Sequence, residues 1–297
     1  SSVLMLNWTD NATNETGFEI ERSTSGPGGP FSAHGTVAAN VWTYNSTGLA
    51  PLTNYCYRVR AVSGALQSAY TSPACGTTTT GVNNAIDFAG TNAYVAFGNP
   101  ASLKLTQFTI ETWFRRDGAG LATTTGSGGI ALAVPLVAKG TADAEVSAQD
   151  INYLLGINTA GNVLCADFEA NPGGQNYPIS GVTPIVQGTW YHAAVTYDGN
   201  KWQLFLNGVF ESELVVGFTP GNLSDCPVSL ATSIKLDNTA LGFFDGAMDE
   251  VRIWNYARTL TEIRSTINSQ IGTTQTGLLA RWGLNEGAGT TVSSSAG

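Results

Sequence analysis

Lysine is nearly missing from these 297 residues: only Lys104, Lys139, Lys201 and Lys235 occur. Thirteen Lys and Arg stand against 22 Asp and Glu, for a net charge of −9. An acidic surface with so few cations repels phosphate backbones, which excludes nucleic acid as a partner. No apolar run approaches the ~18 residues a membrane-spanning helix needs, so membrane insertion is excluded as well. Only two histidines are present, His34 and His192, far apart and without a Ser or Cys motif at either. A nucleophilic triad therefore has no sequence footing. None of the four cysteines lies in a Cys-x-x-Cys, and no histidine accompanies them at zinc-ligand spacing.

Turn and strand formers are plentiful instead. Glycine occurs 35 times, threonine 36 times, and aromatic residues number 29. This composition describes short strands joined by many turns around a core, and excludes disorder. The length suits two domains. The even cysteine count, one pair in each half, suggests two structural disulfides, Cys56–Cys75 and Cys165–Cys226, in an oxidising compartment. Buried free thiols are the alternative for each pair. Neither a charged segment nor an apolar run opens the chain, so a secretory signal is expected to be removed or to lie upstream. Five Asn-x-Ser/Thr sequons begin at Asn7, Asn11, Asn14, Asn45 and Asn222.

The run Thr77-Thr78-Thr79-Thr80-Gly81 divides the chain, giving a first module over 1–79, a linker over 80–83 and a second domain over 84–297. Before it, period-two alternation marks strands at Val3–Trp8, Gly17–Arg22 and Asn54–Arg60. The Leu-x-Trp strand, the Gly-Phe-Glu-Ile-Glu-Arg-Ser stretch and the Leu49–Ala61 segment together resemble a fibronectin type III module. The resemblance implies a core role for Trp8 and a tyrosine corner at Tyr55. The family begins with a strand that has no room here, so an edge is left open to strand addition.

Beyond residue 84, strands are expected at Asn84–Phe88, Ala93–Gly98, Phe108–Arg116, Ile130–Lys139, Tyr153–Asn158 and Asn162–Phe168. Further ones are expected at Trp190–Tyr197, Trp202–Leu206, Ala240–Phe243 and Met248–Trp254. One short helix is predicted over Thr261–Ser269, capped by Thr259 or Thr261. The Gly- and Thr-rich stretch 117–129 is expected to be a surface loop or partner contact. Six ordered blocks, from Ala85–Val95 to Asp249–Ile263, resemble laminin G-like (concanavalin A-like) jelly rolls. The fold class is thus all-β: a fibronectin type III-like sandwich plus a jelly roll with one short helix. The tail strand Gly277–Gly289 is expected to close a sheet, burying Leu278, Ala280 and Trp282 or their alternates.

The jelly-roll resemblance implies a calcium ion (Ca2+), with Asp87, Asn92 and Asp249 as ligands; a hydrogen-bonded turn without metal is the alternative. Glycan binding would use aromatic faces and amides, for which Trp202, Tyr177 and Asn176 are the candidates. Tyr153, Phe243 and Gln175 are further possibilities, while Trp113, Trp190 and Trp254 are expected in the core. Asp167 and Glu169 share a strand face, as a glycosidase pair must, but the Glu-x-Asp-x-x-Glu pattern of glucanases is absent. No catalytic residue is assigned. The function expected is a non-catalytic, secreted or cell-surface adhesion or structural module that binds a glycan or a protein surface. Alternatives are a self-associating extracellular fibre subunit and a carbohydrate-binding accessory of a polysaccharide-degrading enzyme.

Overall fold

A computed structural model describes residues 3–78, 84–142, 148–272, 274–287 and 289–295. The chain forms two compact units, Ser1–Asn83 with Thr266–Gln270, and Asn84–Ser265 with Ile271–Gly297. The expected linker at 80–83 lies outside the described residues.

The first unit has strands β1 (Leu4–Asn7), β2 (Gly17–Ser23), β3 (Ser32–Ala38), β4 (Thr43–Ser46), β5 (Asn54–Ser63), β6 (Leu66–Gln67) and β7 (Ala74–Thr77). β1 pairs with β4 in a two-stranded sheet, while β3-β2-β5-β6, with β7 also on β5, forms the larger sheet. Alternation in β2 and β5 sends Phe18, Ile20, Tyr55, Tyr57 and Val59 into one small core with Leu4 and Leu49. Trp8 is half-buried at its margin, 5.5 Å from Phe18. Ala50 N–H donates to Tyr55 Oη at 3.0 Å, fixing the corner before β5. The outward face of β5 carries Arg58, which stacks over Phe31 and Tyr70 and donates to Glu21.

The second unit contains β8 (Ile86–Ala89), β9 (Val95–Ala96), β10 (Phe108–Arg116), β11 (Ala133–Lys139), β12 (Tyr153–Asn158), β13 (Val163–Asp167) and β14 (Ile179–Pro184). It continues with β15 (Trp190–Tyr197), β16 (Lys201–Leu206), β17 (Val209–Val215), β18 (Val228–Leu230), β19 (Ser233–Ile234), β20 (Ala240–Leu241), β21 (Asp245–Trp254), helix α1 (Leu260–Thr266) and β22 (Leu278–Trp282). A seven-stranded sheet, ordered β17-β16-β15-β10-β21-β22 with β8 also on β21, faces a six-stranded one, ordered β14-β13-β12-β11-β18-β9. This is the jelly-roll sandwich.

Inward residues of both sheets fill one core: Phe108, Ile110 and Phe114 from β10, Leu164 and Ala166 from β13, Trp202 and Leu204 from β16. β21 is long enough for two partners along one side. β8 pairs with Asp245–Met248 and β22 with Val251–Trp254. The tail strand thus lies in the sheet, with Leu278, Ala280 and Trp282 buried and Trp282 stacked on Phe97 at 3.8 Å. Thr259 and Glu262 cap α1 reciprocally, as Thr-x-x-Glu spacing directs. Ile263 then packs on Ala194 and Phe205 of the sheet beneath.

The 117–129 stretch is mostly exposed, as a surface loop is, yet it is tied to the domain beneath. Leu121 bridges to Phe243 and Thr123 to Ala133, and Thr125 is fully buried. The segment therefore roofs the outer face of the six-stranded sheet.

Candidate functional site

A cleft of about 640 Å³ opens where the β8–β9 turn meets the segment that follows β22. Its polar lining comprises Asn84, Asp87, Asn92, Glu286, Thr290 and Thr291, and its exposed aromatic is Tyr94, 42% accessible. Glycine shapes the turn: Gly90 has φ +74°, and a β-carbon there would come within 2.6 Å of Asp245 Cβ. The opposite wall is held by Asn84 Nδ2, which donates to Asn285 O, and by Glu286 Oε1, which accepts from Ser293 N–H. Phe97 and Leu284 form an apolar floor. Among the described residues no Lys or Arg lines the cleft. An aromatic face beside amides, carboxylates and a hydroxyl is the chemistry that holds a sugar ring.

A second polar group lies under the 117–129 roof. Asp167 and Glu169 project from one end of β13 and are both buried. Asp167 accepts from Thr125 Oγ1 at 2.5 Å and from Tyr177 N–H at 3.0 Å. Glu169 accepts from Ile151 N–H at 2.6 Å and from Asn176 Nδ2 at 3.3 Å. Burial pushes the Asp167 carboxyl up to about 7. Burial, with the neighbouring charges of Asp150 and Asp167, pushes Glu169 up to about 8. The pair shares a face, as alternation requires, yet offers no open surface to a polysaccharide. The geometry of a glycosidase is therefore not present at this pair.

The residues expected at a calcium site fall in two places. Asp87 and Asn92 line the cleft, whereas Asp249 is buried on β21 opposite Trp113. The Asp87 side chain is 79% exposed and lies 3.6 Å from Arg115. Burial, then the Glu250 charge, raises the Asp249 carboxyl to about 7. Among the described residues no three His, Cys, Asp or Glu side chains converge as metal ligands.

Trp202 is a correction. It is fully buried and packs edge-on against Phe108, Phe168 and Tyr197. β16 alternates, and the residue that looked exposed beside Lys201 belongs to its inward set. Asn176 is likewise 6% exposed and committed to Glu169 and the Ser127 carbonyl. Tyr177 is half-buried and stacks on the exposed Phe218 at 5.5 Å. Tyr153 is core, and Trp190 is half-exposed under Arg115 rather than buried. Sequence reasoning missed Tyr94, although Asn92-Ala93-Tyr94 sits at a turn, where exposed aromatics are informative.

Cys56 and Cys75 face each other across β5 and β7 and form a disulfide. Cys165 and Cys226 do not; both are buried free thiols. Cys165 packs with Ile130, Ala138 and Leu154, while Cys226 lies where its carbonyl accepts from Lys139 Nζ.

Residues 89–264 match the family model described as Concanavalin A-like lectin/glucanases superfamily. Pappalysin-1 of Mus musculus is 23% identical over 198 residues, 63% of this chain and 11% of that protein. The chain thus spans about a tenth of the length of that curated relative. A candidate carbohydrate binding protein from Bacteroides ovatus superposes with a TM-score of 0.54 at 19% identity, covering 99% of this chain and 88% of that one. The CBM40 of a Ruminococcus gnavus IT-sialidase, bound to alpha2,3 sialyllactose, gives 0.44 at 16% identity, covering 62% and 96%. At these identities the likeness is one of fold.

Proposed function

This chain belongs to the concanavalin A-like lectin/glucanases superfamily, and we propose that its jelly roll binds a glycan in the Tyr94 cleft without cleaving it. The observation that carries this reading is the cleft's lining. An exposed aromatic stands beside Asn84, Asn92, Asp87 and Glu286 in a hollow of about 640 Å³. That volume is within the range of small-ligand sites. The buried state of Asp167 and Glu169 supports a binding role over a hydrolytic one, and the name of the Bacteroides ovatus relative points the same way.

The accessory sugar-binding role now leads, and adhesion becomes the setting in which such a module works. Fibre formation by strand addition has no observation behind it. We read the first unit as a fibronectin type III-like spacer, a reading that the β2–β5 pairing and the Ala50 N–H to Tyr55 Oη bond support. The Cys56–Cys75 disulfide supports a secreted or cell-surface location.

The test is a glycan array probed with the whole chain, followed by calorimetry on the hits with Tyr94→Ala. Loss of the stacking face should weaken binding about tenfold or more, in line with the ~1.4 kcal/mol that a tenfold change represents. Binding that survives Tyr94→Ala unchanged would move the site elsewhere, and an array without hits would remove the reading.

A further inference from the structure

Lys139 is a buried amine that the glycan site does not use. It ends β11 fully buried, and its Nζ donates to Asn99 Oδ1 at 2.6 Å and to the Cys226 carbonyl at 2.7 Å. Among the described residues no carboxylate lies at ion-pair distance from it; Asp225 pairs with Lys104 instead, at 2.5 Å. Burial, then the Lys104 charge, lowers the Lys139 amine to about 8, against smaller opposing effects of Cys226 and Asp225. A desolvated lysine that sheds its proton this readily is a nucleophile as much as a cation.

The group in front of it is an amide with its own acid. Asn99 Nδ2 donates to Asp225 Oδ1 at 2.9 Å, so one carboxamide bridges Lys139 and Asp225. Reversing the amide would set its oxygen against the carboxylate, so this orientation is determined. The carbonyl carbon sits one C=O bond, about 1.2 Å, beyond Oδ1, which puts it within about 4 Å of Nζ. The backbone fixes this approach. Lys139 is the register partner of Val228 on β18, whose carbonyl accepts from Phe97 N–H and whose N–H donates to Gly98 O. Asn99 follows directly, just beyond the edge strand β9.

We propose that Lys139 and Asn99 join in an intramolecular isopeptide bond, with Asp225 as the catalytic acid–base. Neutral Lys139 Nζ attacks Asn99 Cγ; the Nζ–Cγ bond forms and the Cγ–Nδ2 bond breaks. One Nζ proton passes through Asp225 Oδ1, which already touches Nδ2, and departs with that nitrogen as ammonia. Lysine ammonium and carboxamide thus become a secondary amide and ammonium, with no oxidant and no cofactor. The link staples β9 to β11 across β18, whose own ladder to β9 spans only Ser229–Ala96 and Leu230–Val95. Val95 and Ala96 also line the Tyr94 cleft, so the staple fixes that wall whether or not the cleft takes a glycan.

The test is intact-mass spectrometry of the whole chain, reduced after two days at pH 9, where the amine is mostly neutral. Wild type should fall about 17 Da, one ammonia, below its calculated mass. In denatured digests trypsin cuts after Lys104, Arg115 and Arg116, yet the pieces holding Asn99 and Lys139 should stay joined after full reduction. Asn99→Ala alters an exposed side chain and keeps the fold, checked by circular dichroism, and its mass should equal the calculated one. Lys139→Met should also show no loss. Asp225→Ala should form the bond at least tenfold more slowly, the least that acid–base help is worth. The proposal is overturned if wild type keeps its full mass, or if the loss persists in Asn99→Ala, as succinimide formation at Asn207-Gly208 would cause. Equal cross-linking rates in Asp225→Ala and wild type would overturn it as well.

Discussion

Arg258 Nη1 donates to Glu111 Oε1 at 2.5 Å, and both side chains are buried on the outer face of the seven-stranded sheet. The same guanidinium donates to the Glu262 carbonyl of α1 and lies 4.2 Å over the Trp254 ring. One side chain therefore ties the central strand β10 to the helix that covers the sheet. Deleting the carboxylate leaves a guanidinium buried without its counter-charge. Glu111→Ala is expected to cost about 3–5 kcal/mol, the usual penalty for breaking a buried pair from one side. Urea denaturation should show this as a lowered midpoint at unchanged slope; a loss below about 1 kcal/mol would mean the pair is screened as a surface bridge is.

Acid should weaken this cluster in two stages. Burial holds the His192 imidazole below its ordinary 6.5, so the unfolded chain takes up the proton first and stability falls as pH drops past 6.5. Burial alone would raise Glu111, but the His192 contact and the charges of Arg252 and Arg258 outweigh it and hold the carboxyl at about 2. Its contribution is present above pH 4.5 and lost as pH falls from there toward 2. Midpoints measured between pH 8 and pH 3 should therefore decline below 6.5 and again below 4.5. His192→Gln should flatten the first decline and also shrink the second, because the imidazole helps to hold the Glu111 carboxyl low.

Much of this architecture was legible in the period-two pattern. Phe108–Arg116, Tyr153–Asn158 and Trp190–Tyr197 have the bounds that alternation predicts. Thr259 caps the helix through its glutamate at the third position. Alternation assigns residues to two faces, however, and does not say what covers each face. Trp202 was misplaced for that reason, and the shared face of Asp167 and Glu169 did not reveal that both are buried. β14 and β17 were missed: Gly181 and Pro184 interrupt the first, and the polar Glu211-Ser212-Glu213 run hides the second. An even cysteine count carries no distance, which is why Cys165 and Cys226 paired in sequence but not in space. The Tyr94 cleft combines a turn near residue 90 with a segment near residue 290, a juxtaposition only the closed sheet creates.

Trp202 should behave as core. Trp202→Ala removes a ring packed among Phe108, Phe168 and Tyr197, and about 3–5 kcal/mol of stability should go with it. Trp202→Phe keeps most of the volume and dispenses with an indole N–H that has no acceptor, so its cost should be well under half as large. Glycan titrations that alter the fluorescence of wild type should do so equally in Trp202→Phe. A ligand signal lost with this residue would place it at the binding surface, against its complete burial.

The thiols separate the two units experimentally. Cys56 and Cys75 close a loop with a sequence separation of 19, and reducing such a loop typically removes ~2–4 kcal/mol. Because the bond joins β5 to β7, that loss should fall on the first unit. Two-transition melting would then show one transition moving with reductant and the jelly-roll transition staying in place. Cys165 and Cys226 are fully buried, and burial pushes the Cys165 thiol well above its ordinary range. The native, unreduced chain should give almost no reaction with a thiol reagent and release two thiols in denaturant, rising to four after reduction. Rapid reaction of a native thiol would mean that the roof over the six-stranded sheet opens readily. Zero thiols in denaturant would restore the second disulfide.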